Sequence, residues 1–243
     1  MDCEITCVLH NCFLLQLDSR LLLFDYPSPP HRTAEAEALV LERIRDADLT
    51  VLISHSHADH FSPDVFSFGQ LTRSIRFVLS WDVAELCPEF NRVAGLPHLI
   101  LEPDECAILG DLRIETVESS DLGVGFLLNC AGKSVYFGGD VAAWCQETLP
   151  PRAREAEERQ YLALLERLAR DPIDLAFSNA DKRLPNWTGA FEFLRIVRPR
   201  YFVPMHCFGH LEQIAEFAAL VPTDDAVTVL RYERPGQVLR IAL

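Results

Sequence analysis

Short apolar runs and abrupt polar breaks alternate through the first quarter of the chain. Cys3 to Leu9, Phe13 to Leu17 and Leu21 to Phe24 are rich in apolar and β-branched residues, and Asp18-Ser19 makes a tight turn between the last two. Such runs predict strands of an antiparallel opening. The segment YPSPPHRT then breaks regular structure, and Thr33 supplies an N-cap for a helix over Ala34 to Arg45. Leu49 to Ile53, nearly all apolar, predicts a buried strand.

The pattern continues with a strand over Ile75 to Leu79, a short helix over Asp82 to Leu86 and a strand-rich meander from about 98 to 138. The run KSVYFGGD ends in two glycines and an acid, which lets the backbone turn sharply and leaves a carboxylate at the sheet edge. The segment PRAREAEERQYLALLERLARDP predicts a surface helix: Leu162, Leu165 and Leu168 with Tyr161 form its apolar stripe, and Asp171-Pro172 ends it. Five further elements follow Ile173 to Phe177, a strand: a helix over Trp187 to Val197, a strand over Tyr201 to Val203, a helix over Leu211 to Leu220, and strands over Val227 to Leu230 and Gln237 to Ile241. Strands alternating with helices at this spacing predict an α/β layered fold. No linker or low-complexity stretch interrupts the chain, so a single domain over residues 1–243 is expected.

Composition narrows the function. With 49% hydrophobic and 24% charged residues the chain has the profile of a globular protein. Its formal net charge of −14, without a lysine or arginine block, argues against a nucleic-acid partner. Eight cysteines without a C-x-x-C pair are expected as reduced thiols rather than disulfides or a zinc knuckle. Met1-Asp2-Cys3-Glu4-Ile5 lacks the character of a signal peptide, and the apolar runs are strand-sized, so a cytoplasmic protein with no membrane span is expected.

The chemistry concentrates in SHSHADH, residues 54–60, where three of the eight histidines crowd beside an aspartate directly after the Leu49 to Ile53 strand. A lone histidine in such a loop is usually a surface residue or a carbonyl cap. Imidazoles and a carboxylate held together after a buried strand suit zinc, iron or manganese.

His55, Ser56, His57, Ala58, Asp59 and His60 match the H-x-H-x-D-H signature, and the chain thereby resembles the metallo-β-lactamase superfamily of metallo-hydrolases. The resemblance implies a four-layer αββα sandwich with mixed sheets that binds one or two divalent metal ions, zinc foremost, with manganese or iron as alternatives. RLLLFDYP resembles the family's first motif, whose acid, here Asp25, supports the site without being a ligand. VYFGGDV makes Asp140 the candidate bridge between two metals, and YFVPMHCFG makes His206 a ligand. His55 and His57 would then hold the first metal and Asp59, His60 and His206 the second, with Asp140 shared. The family's third histidine has no counterpart, since no histidine lies between His98 and His206; Asp121, near Ser119 and Ser120, is the proposed replacement against an ordinary turn residue.

GGDVAAW and NADKRLPNWTGAFEFL also resemble a little-characterised branch of small bacterial superfamily members, in which Asp181 and Arg183 match an acid and a base near the site's mouth. Asp181 is either a turn acid or a partner to a metal ligand, and Arg183 either a surface ion pair or a contact to an anionic substrate group. His210 either orients substrate or caps a helix. Trp144 and Trp187 are candidates for a pocket wall or the core. His10 would approach the site if the opening hairpin does, as it often does in the family; His31 and His98 are expected at the surface, and Cys207 buried.

The implied activity is metal-dependent hydrolysis of a small cytosolic ester, lactone or phosphodiester by a metal-bound hydroxide, with Asp59 and Asp140 as catalytic residues and a small molecule as partner. No G-x-S-x-G elbow offers a side-chain nucleophile. The rivals are an iron-dependent oxidoreductase on the same scaffold and a metal-binding protein without turnover.

Overall fold

The computed structural model describes residues 1–93, 95–222 and 226–243, and only the backbone of Arg92 and Val93. The chain divides into two compact units, Met1–Glu102 with Arg234–Leu243, and Pro103–Glu233.

The first unit opens with β1 (Asp2–Leu9), β2 (Cys12–Leu17) and β3 (Arg20–Phe24), paired antiparallel as the apolar pattern predicts. The two hairpin turns place His10 (φ 47°) and Asp18 (φ 50°) in the left-handed region, which histidine and aspartate tolerate better than most residues. Helix α1 (Ala34–Arg43) starts at Thr33, whose side chain accepts from Ala36 N as an N-cap, and ends two residues earlier than its sequence suggests. Then come β4 (Asp48–Ile53), β5 (Ser74–Ser80), the short helix α2 (Trp81–Leu86) and β6 (His98–Leu101). β3, β4, β5 and β6 are mutually parallel neighbours. β4 is buried along nearly its whole length, which is why it reads as a continuous apolar run rather than an alternation. Val51, Ile53, Leu23 and Phe77 join Val40, Ile44 and Phe66 in one core cluster.

The second unit begins with the antiparallel strands β7 (Cys106–Leu109), β8 (Leu112–Glu118), β9 (Val124–Cys130) and β10 (Lys133–Phe137). Helix α3 (Pro151–Leu168) has proline at its first turn, where no backbone donor is lost, and buries Tyr161, Leu165 and Leu168. β11 (Leu175–Asn179), helix α4 (Ala190–Ile196), β12 (Tyr201–Met205), helix α5 (Glu212–Leu220) and β13 (Thr228–Val229) complete it. β10 to β13 run parallel in neighbouring order. β14 (Gln237–Ala242) belongs to the first unit and pairs antiparallel with β1.

The expected helix over Trp187 to Val197 is corrected. A 3-10 turn over Trp187–Gly189 precedes α4, and Thr188 (φ 54°) and Gly189 (φ 85°) leave the helical region between them. Hydrophobic spacing cannot register this break, because Trp187 and Phe193 are buried on either side of it. None of the eight cysteines is in a disulfide. Among the described residues no helix is long and apolar enough to cross a membrane.

Candidate metal centre

In the first unit, the carboxyl end of β4 runs directly into the histidine loop. Loops at the carboxyl ends of parallel strands are the usual binding positions of α/β sheets. The His55 and His60 rings stand 4.0 Å apart, His55 and His57 4.7 Å, and His10 and His60 5.4 Å. Four imidazoles therefore gather in this unit, His10 among them: its side chain reaches Asp59 at 3.5 Å. His55, His60 and His10 are buried and His57 is exposed. Ring nitrogens of His55 and His60 lie within 4.8 Å of each other.

Asp25, one residue beyond β3, fixes two of these rings. Its Oδ1 accepts from Ser54 N at 2.8 Å, and its Oδ2 accepts from Ser54 Oγ at 2.8 Å and faces His60 Nδ1 at 2.7 Å. Three donors converging on one acid are the complement of a carboxylate, so His60 Nδ1 carries the proton and donates it. Because the Ser54 hydroxyl hydrogen is committed to Asp25, its lone pair faces His55 Nδ1 at 2.9 Å, and that nitrogen donates as well. Both rings thus have their basic lone pair on Nε2, the state needed in a metal ligand. Complete burial pushes the Asp25 carboxyl upward, and the His60 and Ser54 donors oppose that shift. Asp25 sits at φ 39°, a conformation that costs about 1–3 kcal/mol.

Asp59, on the same loop, is half-buried. Burial alone would raise its carboxyl, but the hydrogen bond from His10 and the nearby His60 hold it well below the usual carboxylate range. Sequence reasoning missed Asp82 here: its Oδ2 accepts from Ser56 N at 2.7 Å.

The second unit repeats the device at the carboxyl ends of β10, β11 and β12. His206 follows β12 directly at φ 68°, with Nδ1 3.0 Å from Asp181 Oδ2 and Nε2 3.4 Å from Asp140 Oδ1. Asp181 lies two residues past β11. Its burial would raise the carboxyl, and the His206 and Arg183 hydrogen bonds outweigh that and hold it well below the ordinary range. Asp181 is therefore an acceptor, His206 Nδ1 donates to it, and the His206 lone pair again rests on Nε2.

Arg183 grips Asp181 through Nε (2.8 Å) and Nη2 (2.6 Å) while its guanidinium stacks 3.9 Å over the Phe208 ring. The Trp144 ring is 5.2 Å from that of His206, whereas Trp187 packs into the core with Phe217. Cys207 is buried. His210 is exposed and pairs with Glu212 at 3.2 Å. Asp121 is exposed, yet one of its carboxylate oxygens lies within 4.8 Å of one from Asp140. Ser120 points elsewhere: its Oγ accepts from Ala142 N at 2.7 Å and donates to Ala142 O at 2.6 Å, clamping the loop that carries Asp140. No feature of the sequence around Ser120 announces this bond.

The sequence profile of the beta-lactamase superfamily domain matches residues 22–207, most of the chain. The chain belongs to the metallo-β-lactamase superfamily. Two mixed sheets with helices are the α/β sandwich class of that superfamily, as expected. The fold is similar to that of Igni18, a metallo hydrolase from the archaeon Ignicoccus hospitalis (TM-score 0.66, 18% identity, 100% of both chains covered). It is similar to YhfI, a metallo-beta-lactamase fold protein from Bacillus subtilis (0.65, 14%, covering 98% of this chain and 99% of that one). A third similar fold is that of CmlA, a diiron β-hydroxylase from Streptomyces venezuelae (0.63, 15%, 98% of this chain and 54% of that one), so this chain spans about half of that enzyme. No curated protein sequence matches the chain.

Proposed function

We propose that the chain is a metal-dependent hydrolase of a small ester, lactone or phosphodiester, and that His55, His57, Asp59, His60, Asp121, Asp140 and His206 are the ligands of one or two divalent ions. The observation that carries this reading is the repeated carboxylate–imidazole pair. Asp25 holds His60 and, through Ser54, His55; Asp181 holds His206; each unit separately turns an Nε2 lone pair outward from its supporting acid. A bound metal ordinarily needs this arrangement, which fixes tautomer and ring direction. The mixture of imidazole and carboxylate suits zinc first, with manganese or iron accommodated by the oxygen donors.

A divalent ion held by these residues supplies Lewis acidity and lowers the pKa of a coordinated water toward about 7. The chain's own contribution is to hold its donors in one protonation state. Asp59 and Asp181, both held below the carboxylate range, stay anionic at neutral pH. Arg183 is the group best placed to meet an anionic part of the substrate: its side chain is 57% exposed, and stacking on Phe208 fixes its plane. Asp181 is engaged by His206 and Arg183, which leaves it a supporting role rather than a direct substrate contact.

The carboxylates Asp59, Asp121 and Asp140 favour a second reading, an iron-dependent oxidoreductase, since oxygen donors suit iron. The hydrolase reading is put first, in keeping with the likeness in fold to a diphosphatase from the PhnP family (TM-score 0.60, 14% identity).

The test is metal analysis of protein purified without added metal or a histidine tag, followed by turnover assays on ester, lactone and phosphodiester panels. Bound metal with hydrolysis, both lost in His60→Ala and His206→Ala variants that still fold, is the expected result. A visible absorption band from bound iron without hydrolysis would favour the oxidoreductase. Full activity in either variant would sink the ligand assignment.

A further inference from the structure

We infer that Asp82 is a positioning residue for the histidine loop: by holding the Ser56 peptide, it sets the directions from which His55 and His57 approach a metal. The inference rests on the metal-site reading above and concerns a residue outside the superfamily signature.

Asp82 lies in the first turn of α2 and is completely buried. An acid at that position ordinarily turns back to its own helix, because the first backbone N–H groups of a helix lack partners. Here it does not. Its Oδ2 reaches across to Ser56 N, 26 residues upstream, at 2.7 Å. The N-cap residue Ser80 makes no side-chain capping bond either. Ser80 Oγ and Asp82 Oδ1 are both buried without a hydrogen-bond partner among the described residues. Completely buried and turned away from its own helix, the Asp82 carboxylate gives its Oδ2 to the Ser56 peptide.

The reach is possible because β4 and β5 are neighbours in register, with Ile53 opposite Leu79, so the loop leaving β4 runs beside the start of α2. The rest of the histidine loop is already held at both ends. Ser54 N is bound by Asp25, and His57 O accepts from His60 N and Phe61 N. The His55–Ser56 peptide is the span between these anchors, and Asp82 is what grips it. Rotation of that peptide would swing His55 and His57, which follow one another along the loop with rings 4.7 Å apart, relative to each other.

The test compares wild-type protein with Asp82→Ala, Asp82→Ser and Asp82→Asn. Co(II) affinity is read by competition with a chromophoric chelator, Co(II) coordination by its visible spectrum, and the metal-free fold by circular dichroism and melting. Asn keeps an oxygen that can accept from Ser56 N. Ser suits a first helical turn, but its hydroxyl is too short to reach. Alanine and serine should weaken Co(II) binding by roughly 10–100-fold and change the spectrum, the scale seen when outer partners of metal ligands are removed. Asparagine should restore both. If Asp82→Ala does not fold, Asp82→Ser carries the comparison. Wild-type-like affinity and spectrum in a folded alanine or serine variant would overturn the inference while leaving the metal site standing. Wild-type protein that takes up no Co(II) would overturn the metal reading and this inference together.

Discussion

His60 Nδ1 stands 2.7 Å from Asp25 Oδ2, and both side chains are fully buried. The contact does more than join two residues 35 positions apart. It assigns the proton of one imidazole, and through Ser54 the same carboxylate assigns that of a second. One acid thereby prepares two candidate ligands.

This arrangement makes Asp25→Asn an informative change. An amide can accept from Ser54 N with its oxygen, but its NH2 group then faces His60 Nδ1 and Ser54 Oγ, where acceptors are now required. His60 is driven to the other tautomer, with hydrogen on Nε2, the nitrogen needed for metal. Metal affinity should fall by about 10–100-fold, measured by chelator competition, while the far-ultraviolet dichroism stays that of the wild type. Unchanged affinity would show that Asp25 supports the fold only.

Asp121 and Asp140 approach within 4.8 Å through carboxylate oxygens. Two anions so close repel each other unless a cation intervenes. If Asp121 stands in for the absent histidine, Asp121→Asn should lower the metal bound per chain, by about one equivalent in a two-metal centre, as determined by elemental analysis. Equal metal content in variant and wild type would return Asp121 to the role of a turn residue.

Arg183 offers a separable effect. Its alanine variant removes the Phe208 stack and the exposed cation but leaves Asp181 to accept from His206. KM for an anionic phosphodiester should rise by roughly tenfold, equivalent to about 1.4 kcal/mol, with kcat and the KM of a neutral lactone nearly unchanged. Lysine should not restore it, because an ammonium cannot reproduce the planar two-point grip on Asp181. A fall in kcat for every substrate would place Arg183 in support of His206 instead.

Gly189 tests the broken helix. At φ 85° it occupies a conformation that disfavours side chains, and an added Cβ would collide with the Tyr161 ring and come within 3.1 Å of Ala143 Cβ. Gly189→Ala should cost about 2–3 kcal/mol and lower the melting midpoint by roughly 5–10 °C. A midpoint within 1–2 °C of wild type, on that same scale, would mean that the turn relaxes at little cost.

The Gly189 break also marks where sequence patterns stop being informative. The Leu49 to Ile53 run and the α3 stripe were legible because burial leaves its mark on the sequence, as an unbroken apolar run on a strand buried on both faces and as a periodic stripe on a helix buried on one. Trp187 and Phe193 leave the same trace across a backbone reversal, so spacing merged them into one helix. At the candidate site, His55, His57, Asp59 and His60 announce themselves by crowding. Ser54, Asp82 and Ser120 do not, because each acts through a bond to a residue 20 or more positions away. Asp181 was legible as an acid near the site but ambiguous in role, and its two oxygens serve both readings: Oδ1 accepts from Arg183 N at 2.9 Å as a turn acid does, and Oδ2 lies 3.0 Å from His206 Nδ1.

Glu4 carries a pH-dependent prediction for the first unit. On β1 it accepts from Arg43 of α1 at 2.5 Å and from Arg240 of β14 at 3.0 Å. The Arg43 hydrogen bond, with help from Arg240 and against partial burial, lowers its carboxyl below the usual value. A group whose folded pKa is depressed contributes stability that is present above its unfolded pKa, about 4.3, and is lost as pH falls through the folded value. Glu4→Gln should therefore lower the melting midpoint at pH 7 by a few degrees, about 1 kcal/mol for a partly screened pair. The gap between variant and wild type should begin to narrow as pH falls below about 4.3 and close only once pH has passed below the depressed folded value, where the glutamate too is neutral. Melting curves of the two proteins from pH 7 down to pH 3 check this, and a gap that stays constant throughout would mean that the glutamine disturbs packing rather than charge.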